Sequence, residues 1–360
     1  MIQRQLKLRL TKFQEATLER YLWHLTGVYN WTLRKIELDA RDGIYHSNYG
    51  LDKMTAGHGP KIEVPSKMVR GTINTAHEAW RRCFKGIGGK PKFKSRRNRL
   101  SSISIPRDFA PPKGSTIAVP GLGRVRFHKM DLPAGVIKQG RLVRRASGWH
   151  LCLFIGAASS AIPHIGNGII GIDPGFSSLL TLSTGEKITH PREYEASVRR
   201  LGQAQRGKNK RLAARLSERI ANQRRDRNHK LSRRLVSENQ TIVFSADHHS
   251  AIAKRFGKSV HSSGHYQLRQ MLDYKCRAGG RTYIEVDSKN STRTCSACGA
   301  LTGPKGLAGL SVRLWRCEEC GISHDRDGNA ALNVLKAGVG TTHEIAVNAS
   351  PKSLKSEVQA

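Results

Sequence analysis

Two Cys-x-x-Cys pairs near the end of the chain constrain its fold more than any other feature. The first pair is Cys295 and Cys298, and the second, after an 18-residue spacer, is Cys317 and Cys320. A glycine follows each pair, as a tight turn around a bound ion requires. Four thiolates at this spacing form a closed tetrahedral site for Zn²⁺ and leave no open position for catalysis. We therefore predict a structural zinc site, and the alternative is a module that has lost its metal.

The second constraint is charge. The 360 residues include 62 Lys and Arg against 27 Asp and Glu, which gives a net charge of +35. So large a surplus repels itself unless a polyanion neutralises it, so nucleic acid is the expected partner and an anionic membrane surface the alternative. The chain starts without a signal-peptide core, and no stretch reaches the roughly 18 apolar residues of a membrane span. Because four of the seven cysteines are clustered, we expect a reducing, cytoplasmic location. A membrane surface would require an amphipathic basic helix or a lipid signal, and the sequence shows neither clearly, so we expect no membrane partner.

The N-terminal half combines a β-rich region with an inserted helical one. Residues 2–10 alternate like a half-buried strand, and Thr11 with Gln14 predicts a capping box at the start of a helix. Helical spacing then continues, with a glycine-containing break, to about residue 86. Residues 101–160 have short apolar alternations broken by Gly and Pro, as β-strands do. We therefore predict one β-barrel that is interrupted after its first strand by helices.

A basic segment joins these two regions. Six of the ten residues from Lys90 to Arg99 are Lys or Arg, and the preceding glycines together with Pro91 disfavour a helix. An isolated charge run is often only a solvated surface, but the net charge favours contact with phosphates and Phe93 offers a face for stacking. The predicted nucleic-acid-binding residues are Lys90, Lys92, Phe93, Lys94, Arg96, Arg97 and Arg99.

From Gly168 onward the pattern becomes mixed α/β. GIIGIDPG is a short buried strand that ends in Asp173, and a hairpin follows it. Next come a basic helical stretch over 199–235 with a break at Gly207, the strand TIVFSAD, a helix and the strand RTYIEVD. The cysteine module and the helix DRDGNAALNVLKAG complete the series, and no strong pattern follows residue 338. This order fits a ribonuclease H-like sheet, so the predicted class is a multi-domain α+β chain.

Acidic residues occur where strands end and helices begin in this region. Asp173 ends the first strand, and Asp325 and Asp327 open the last helix. Each has an ordinary structural explanation, because Asp is common in turns and stabilises helix N-termini. Taken singly, none of them predicts a site.

Taken together, the motifs resemble one family. The segments GIDPG, TIVF, NSTRTCSACG and HDRDGNAALN, with the second cysteine pair, are similar to the RuvC-like nuclease half of the TnpB family. These are transposon-encoded RNA-guided nucleases related to the compact type V CRISPR effectors. The helical segment and the β-rich region also resemble that family, so the likeness covers nearly the whole chain except its tail. The combination of the cysteines with DRDGNAA is its most specific part.

The resemblance implies a two-lobed protein that holds a guide RNA and a double-stranded DNA target beside a short transposon-adjacent motif. Base pairing with the transposon-derived guide would select the target. The family's proteins would act as monomers on their RNA, near the nucleoid of a prokaryotic cytoplasm. The implied domains are a β-barrel over 1–10 and 87–165, a helical recognition domain over 11–86, a RuvC-like nuclease domain over 166–290 and 322–338, a zinc ribbon over 291–321 and a flexible tail over 339–360.

Cleavage in such nucleases relies on three carboxylates that hold two Mg²⁺ ions, because Mg²⁺ prefers oxygen ligands. The resemblance assigns Asp173 as the first carboxylate and Asp327 as the third, with Asp325 as a helix cap or outer contact. The family's usual second carboxylate is a Glu directly after the apolar strand, where this chain has Ser245. The expected catalytic set is therefore incomplete at one position.

Three hypotheses follow from Ser245. In the first, the nuclease is inactive and the protein acts as an RNA-guided repressor. In the second, which the sequence favours, Glu285 of the next strand supplies the carboxylate from about 4.8 Å away and the endonuclease is active. In the third, Asp247 supplies it from further along the strand, whereas His248 and His249 are poor Mg²⁺ ligands.

An alternative from another functional class is an RNA-independent, zinc-containing DNA-binding factor. It would explain the charge and the zinc but not the segments GIDPG and DRDGNAA.

Overall fold

The computed structural model describes most of the chain in two compact units, Met1–Ser159 and Ser160–Ala360. Both units combine strands and helices, so the fold is mixed α/β, while the finer domain boundaries stay predictions. Among the helices of the described residues, none is long and apolar enough to cross a membrane. The described residues are 2–106, 109–156, 162–175, 177–190, 192–246, 263–287, 289–305, 309 and 311–348.

The first unit is built on a six-stranded antiparallel sheet. Its strands are β1 (Ile2–Arg9), β2 (Ser102–Pro106), β3 (Thr116–Val119), β4 (Gly123–Phe127), β5 (Val136–Arg145) and β6 (Gly148–Gly156). They lie in the order β2-β5-β6-β1-β4-β3, so the first strand of the chain is internal and pairs with both β4 and β6. Because β2 and β3 are the edges of the sheet, the barrel that the sequence predicted is a half-barrel.

Four helices are inserted between β1 and β2. They are α1 (Lys12–Arg41), α2 (Asn48–Met54), α3 (His58–Lys61) and α4 (Ser66–Phe84). The predicted capping box is present, since the Thr11 hydroxyl accepts from the Gln14 N–H and the Gln14 side chain accepts from the Thr11 N–H, each at 3.1 Å. One side of α1, which carries Leu18, Leu22 and Leu25, is buried in the core of this unit. Burial of that side fixes which residues of α1 face solvent.

The second unit contains a five-stranded mixed sheet. Its strands are β7 (Gly168–Pro174), β8 (Leu180–Leu182), β9 (Lys187–Ile188), β10 (Asn239–Ser245) and β11 (Thr282–Val286), in the order β11-β10-β7-β8-β9. β7, β10 and β11 are parallel, and β8 and β9 form the predicted hairpin. The helices are α5 (Arg192–Arg206), α6 (Lys210–Glu238), α7 (His265–Ala278) and α8 (Arg326–Asn348), with the predicted break at Gly207 between α5 and α6.

Helices cover both faces of the parallel strands. On one face, Ile172 of β7 and Phe244 of β10 are fully buried in a cluster with Leu268 of α7. On the other face, Val243 of β10 packs with Val334 of α8. Alternate residues of each strand therefore face different helices, and this alternation decides which polar side chains can meet.

Two glycines allow α8 to approach the sheet closely. A Cβ on Gly171 of β7 would lie 2.4 Å from the backbone oxygen of Ala331, and one on Gly338 of α8 would lie 2.4 Å from a valine side chain of β10. The sequence predicted that the helix stops near residue 338, which is wrong because Gly338 serves packing and the helix continues to Asn348. The predicted tail therefore begins inside a helix, and residues 349–360 lie outside the described residues.

We expect Gly171→Ala to lower the free energy of unfolding by about 1–3 kcal/mol or more, because the clash is with backbone that cannot rotate away. The matched control is Gly27→Ala in α1, where a Cβ would meet no atom within 4 Å. That control should instead gain up to about 1 kcal/mol, since Ala is favoured over Gly inside helices. Denaturant titrations of both variants measure the difference, and equal midpoints would contradict this account of the β7–α8 contact.

Candidate functional site

The four predicted zinc ligands converge. Their Sγ atoms all lie within 4.8 Å of one another, and the Cys295–Cys320 and Cys298–Cys317 Sγ distances are both 3.6 Å. A tetrahedral Zn²⁺ with Zn–S bonds near 2.3 Å needs sulfur atoms about 3.8 Å apart. The arrangement therefore fits one Zn²⁺ ion with four thiolate ligands.

Two backbone knuckles position these cysteines, with a hairpin of β12 (Leu314–Arg316) and β13 (Ser323–Asp325) flanking the second one. In each knuckle, the glycine after the second cysteine donates its N–H to the carbonyl of the first cysteine at 2.9 Å. These glycines, Gly299 and Gly321, have φ values of +83° and +71°, a region that strains L side chains. The sequence C-x-x-C-G therefore encodes the turn as well as the ligands.

A polar neighbour favours the thiolate form of Cys317. The Thr302 hydroxyl donates to Cys317 Sγ at 3.3 Å, and this hydrogen bond is the main cause that lowers the pKa of the Cys317 thiol to about 6. His324 Nε2 lies 3.0 Å from Cys295 Sγ, and its ring packs on Trp315 with centroids 4.8 Å apart. Metal binding requires deprotonated thiols, so the Thr302 contact supports zinc affinity near neutral pH.

Helix α8 is attached to the first knuckle by two asparagines. Asn329 accepts from the Ser296 N–H and donates to the Thr294 carbonyl, both at 2.8 Å. Asn333, one turn later, donates to the Thr294 carbonyl at 2.7 Å and to the Ser291 carbonyl at 2.8 Å. The NAALN sequence therefore joins the metal module to the helix that begins with the acidic motif. Sequence analysis missed this role, which an Asn pair at i, i+4 could have indicated because such residues share one helix face.

The register of the parallel strands separates the predicted catalytic residues. Ile172 of β7, Phe244 of β10 and Glu285 of β11 are paired across the three strands. Paired residues of parallel strands point to the same face, so Glu285 shares the α7 face with the buried Phe244. Asp173 and Ser245 come one residue later on their strands and therefore share the opposite face, which α8 covers.

Glu285 is held on the α7 face by its own contacts. Arg269 of α7 forms an ion pair with it at 2.7 Å, and the Tyr283 hydroxyl donates to it at 3.0 Å. Burial first, and then the charge of Glu285, raises the pKa of Tyr283 far above its usual value, so the hydroxyl stays protonated as a donor. The register therefore places Glu285 on the face opposite Ser245, and its replacement of the missing carboxylate stays a prediction.

The acidic start of α8 divides into a cap and a candidate ligand. Asp325 accepts from the Gly328 N–H at 2.8 Å and pairs with Lys187 at 2.7 Å. Burial alone would raise the pKa of Asp325, but these two contacts outweigh it and lower the pKa below its usual value. Asp327, in the first turn of the helix, lies 3.4 Å from Arg313 Nη1. Asp325 therefore caps the helix, and Asp327 is left as the candidate carboxylate.

A three-carboxylate magnesium site is not assembled from the described residues. Within that part of the chain, the four cysteines are the one group of three or more His, Cys, Asp or Glu whose ligand atoms converge. The α8 side of the sheet offers the carboxylates of Asp173 and Asp327, and the third position holds Ser245, which is fully buried. A neutral hydroxyl is a poor substitute for a carboxylate on Mg²⁺, so this donor set does not fit two Mg²⁺ ions. Outside the described residues lie Asp247, His248 and His249.

The basic segment of the first unit is fixed against α1. Asn30 donates to the Lys94 carbonyl and accepts from the Lys94 N–H, each at 2.8 Å. The Arg34 guanidinium lies 5.3 Å from the centre of the Phe93 ring, a cation–π contact. A helix therefore holds the middle of the segment in a defined conformation.

The cations of this segment fall into two groups. Lys90 forms a 2.7 Å ion pair with Glu37 and lowers the pKa of that carboxyl, and Arg99 lies 3.3 Å from Glu19. Within the described part of the chain, the other cations pair with no carboxylate. These available cations are Lys92, Lys94, Arg96 and Arg97.

We expect the Arg96→Ala, Arg97→Ala double variant to weaken the salt dependence of nucleic-acid binding. If each side chain neutralises one phosphate, the slope of log K against log salt concentration falls in magnitude by about 1.4 on a single strand and about 1.8 on a duplex. The matched control, Lys90→Ala with Arg99→Ala, removes two cations that already have carboxylate partners and should change the slope less. Anisotropy titrations at several salt concentrations measure it, and equal slopes for the two double variants would refute the grouping.

Comparisons with known proteins agree with this architecture. Residues 162–246 match the family described as Probable transposase, and residues 265–334 match the family described as Cas12f1-like, TNB domain. The chain is 32% identical over 300 residues to "Putative RNA-guided DNA endonuclease" of Streptomyces pristinaespiralis, across 78% of this chain and 73% of that protein. It is 24% identical over 304 residues to "Putative RNA-guided DNA endonuclease InsQ" of Escherichia coli K12, across 76% and 75%.

A solved structure has a similar fold. A chain of "Cryo-EM structure of the Cas12f1-sgRNA-target DNA complex" superposes with a TM-score of 0.57 at 14% identity, over 90% of this chain and 83% of that chain. The half-barrel sheet, the mixed sheet and the four-cysteine module are thus those of a Cas12f1-like fold. On the strength of the sequence relatives, the chain belongs to the TnpB family.

Proposed function

We propose that this protein is an RNA-guided DNA-binding protein whose cleavage site is incomplete. Family membership, relatives whose names contain RNA-guided DNA endonuclease and a structural neighbour solved with sgRNA and target DNA support the RNA-guided kind. The strand register is the single observation that supports an incomplete cleavage site. In this register Ser245 and Asp173 share one face of the sheet, and Glu285 lies on the other face. The protein would then occupy its target as a roadblock or repressor instead of cutting it.

Different residues of this chain would bind nucleic acid, bind zinc and fix the start of α8 in such a complex. The available cations of the basic segment would neutralise phosphates, and base pairing between guide and target would supply sequence specificity. The four cysteines would hold Zn²⁺, which supplies a structural cross-link between the two knuckles. Asn329 and Asn333, which bond to the backbone of the first knuckle, would fix the start of α8 to the zinc-bound module. None of these roles requires a second catalytic carboxylate.

An active endonuclease is the second candidate, because the chain has Asp at both of the other catalytic positions. Asp173 and Asp327 would then be completed by Asp247, which follows β10 in the sequence. This candidate differs from the first in one measurable property, the cutting of a matched target by the wild-type complex.

The test is to express the full chain with RNA from the end of its own locus and to purify the zinc-loaded complex. We expect tight binding of duplex DNA that matches the guide, a footprint over the target, and no cutting in Mg²⁺ or Mn²⁺. A scrambled guide is the control and should abolish the footprint. Cutting by the wild-type complex would overturn the proposal in favour of the Asp247 endonuclease. Sequence-specific binding without RNA would overturn it in favour of an RNA-independent DNA-binding factor.

A further inference from the structure

Two tryptophans lie exposed on the solvent side of α1. Trp23 is 51% exposed and Trp31 is 39% exposed, whereas the opposite side of the same helix is buried in the core. The two indoles are eight residues apart, which places them about 80° apart around the helix and about 12 Å apart along it. They therefore form one apolar stripe that the fold of the described residues does not cover.

A glycine lies midway between them. Gly27 is exposed, in the interior of a 30-residue helix, where glycine is less favourable than any residue except proline. A Cβ built on it would meet no atom within 4 Å, so nothing in the described protein requires a glycine there. A residue that disfavours the helix without helping the packing suggests that something outside the chain approaches the backbone at this point.

The charge around the stripe is positive. Arg34, exposed one turn beyond Trp31, lies over Phe93 and so connects the stripe to the basic segment with its available cations. At the other end Arg20 is exposed, although it pairs with Glu63 at 2.7 Å. A second copy of this chain, with its net charge of +35, would be repelled from such a surface. A partner with flat apolar faces and a negative backbone is complementary to it, and nucleotides have both.

We propose that Trp23, Gly27 and Trp31 form a stacking platform for unpaired bases of the resident RNA, with the strand close to the helix backbone at Gly27. This inference rests on the proposed function, which supplies RNA as the partner. What is new is the surface that binds the RNA, the residues that contact it and the unpaired state of the bound nucleotides. RNA is the occupant because it is bound in every state of the proposed complex, which keeps the indoles covered.

The first test uses the full chain with a short oligo(U) RNA and an abasic ribose-phosphate strand of the same length. The Trp23→Ala, Trp31→Ala double variant should bind oligo(U) about 10-fold or more weakly, because each stacked base contributes strongly. Its salt slope and its affinity for the abasic strand should stay unchanged. Tyr266→Ala is the matched control, since Tyr266 is 60% exposed on α7 of the second unit, outside the stripe. Equal losses on both strands, no loss, or tighter binding of oligo(dT) than of oligo(U) would overturn the platform.

The second test uses Gly27→Ala, for which stability and binding should change in opposite directions. The variant should raise Tm by roughly 2–4 °C, because Ala favours the helix. It should also bind oligo(U) several-fold more weakly, because the new methyl group occupies the approach to the backbone. A higher Tm with unchanged binding would overturn the close approach.

Failure of the platform and failure of the proposed function give different results. If wild type binds RNA with a steep salt dependence and all variants match it, the platform fails and the proposed function stands. If wild type binds no RNA, the proposed function fails. A concentration-dependent dimer in sedimentation that the double Trp variant loses would assign the stripe to a second copy and overturn the proposal.

Discussion

Replacing Ser245 with Glu is expected to give this protein a cleavage activity that the wild type lacks. The α8 side of the sheet already has Asp173 and Asp327, and residue 245 ends β10 on the same face as Asp173. Losing an outer contact of a metal site typically costs about 10–100-fold, so supplying a missing ligand should raise cleavage by at least about 100-fold. The measurement is single-turnover cutting of a matched duplex by the RNA complex in Mg²⁺.

Matched variants separate this gain from other effects. Ser245→Gln has the same size without the charge and should remain inactive, and Glu285→Gln should have no effect on cutting in either background. Because residue 245 is fully buried, an added carboxylate without metal should be destabilising, and Mg²⁺ should reduce the Tm gap between Ser245→Glu and Ser245→Gln. A Ser245→Glu variant that folds and binds target but never cuts would contradict the account of this site.

Removing zinc is expected to unfold the cysteine module and to loosen the start of α8. Structural Zn²⁺ sites contribute apparent free energies of about 10–16 kcal/mol, and four thiols whose Sγ atoms lie within 4.8 Å of one another need the metal to hold them together. Asn329 and Asn333 bond to the backbone of the first knuckle, so loss of the knuckle removes their partners. Hydrogen exchange should therefore speed up over residues 291–325 and also over the first two turns of α8.

The zinc prediction has a variant control. Cys298→Ser should lower zinc content and reproduce the exchange pattern of the chelated protein. Cys83→Ser, in the first unit, should change neither the zinc content nor the exchange of residues 291–325. If the chelated protein and the loaded protein exchange identically, the module is stable without metal and the assigned role is wrong.

Local patterns predicted the local structures well. Thr11 and Gln14 form the expected capping box because both partners lie within one turn. The C-x-x-C-G motif encodes its own turn through the positive φ of Gly299 and Gly321. In both cases the sequence contains every group that the structure requires, so little depends on the rest of the fold.

The orientation of Glu285 could not be predicted in the same way. A strand that is covered on both faces has apolar residues at odd and even positions, and the run TYIEV has no alternation that marks one face. The face was decided by the register against β10, a tertiary property. The end of α8 was mispredicted for a related reason, because Gly338 allows a close contact with the sheet and was interpreted as a stop.

Metal binding at the α8 face of the sheet tests the central claim most directly. Mn²⁺ can replace Mg²⁺ and is visible by electron paramagnetic resonance, so the zinc-loaded RNA complex can be titrated with it. We predict no tightly bound Mn²⁺ pair in the wild type, a pair in Ser245→Glu, and no change on Glu285→Gln in either background. A wild-type complex that binds two Mn²⁺ ions, and loses them on Glu285→Gln, would contradict the account.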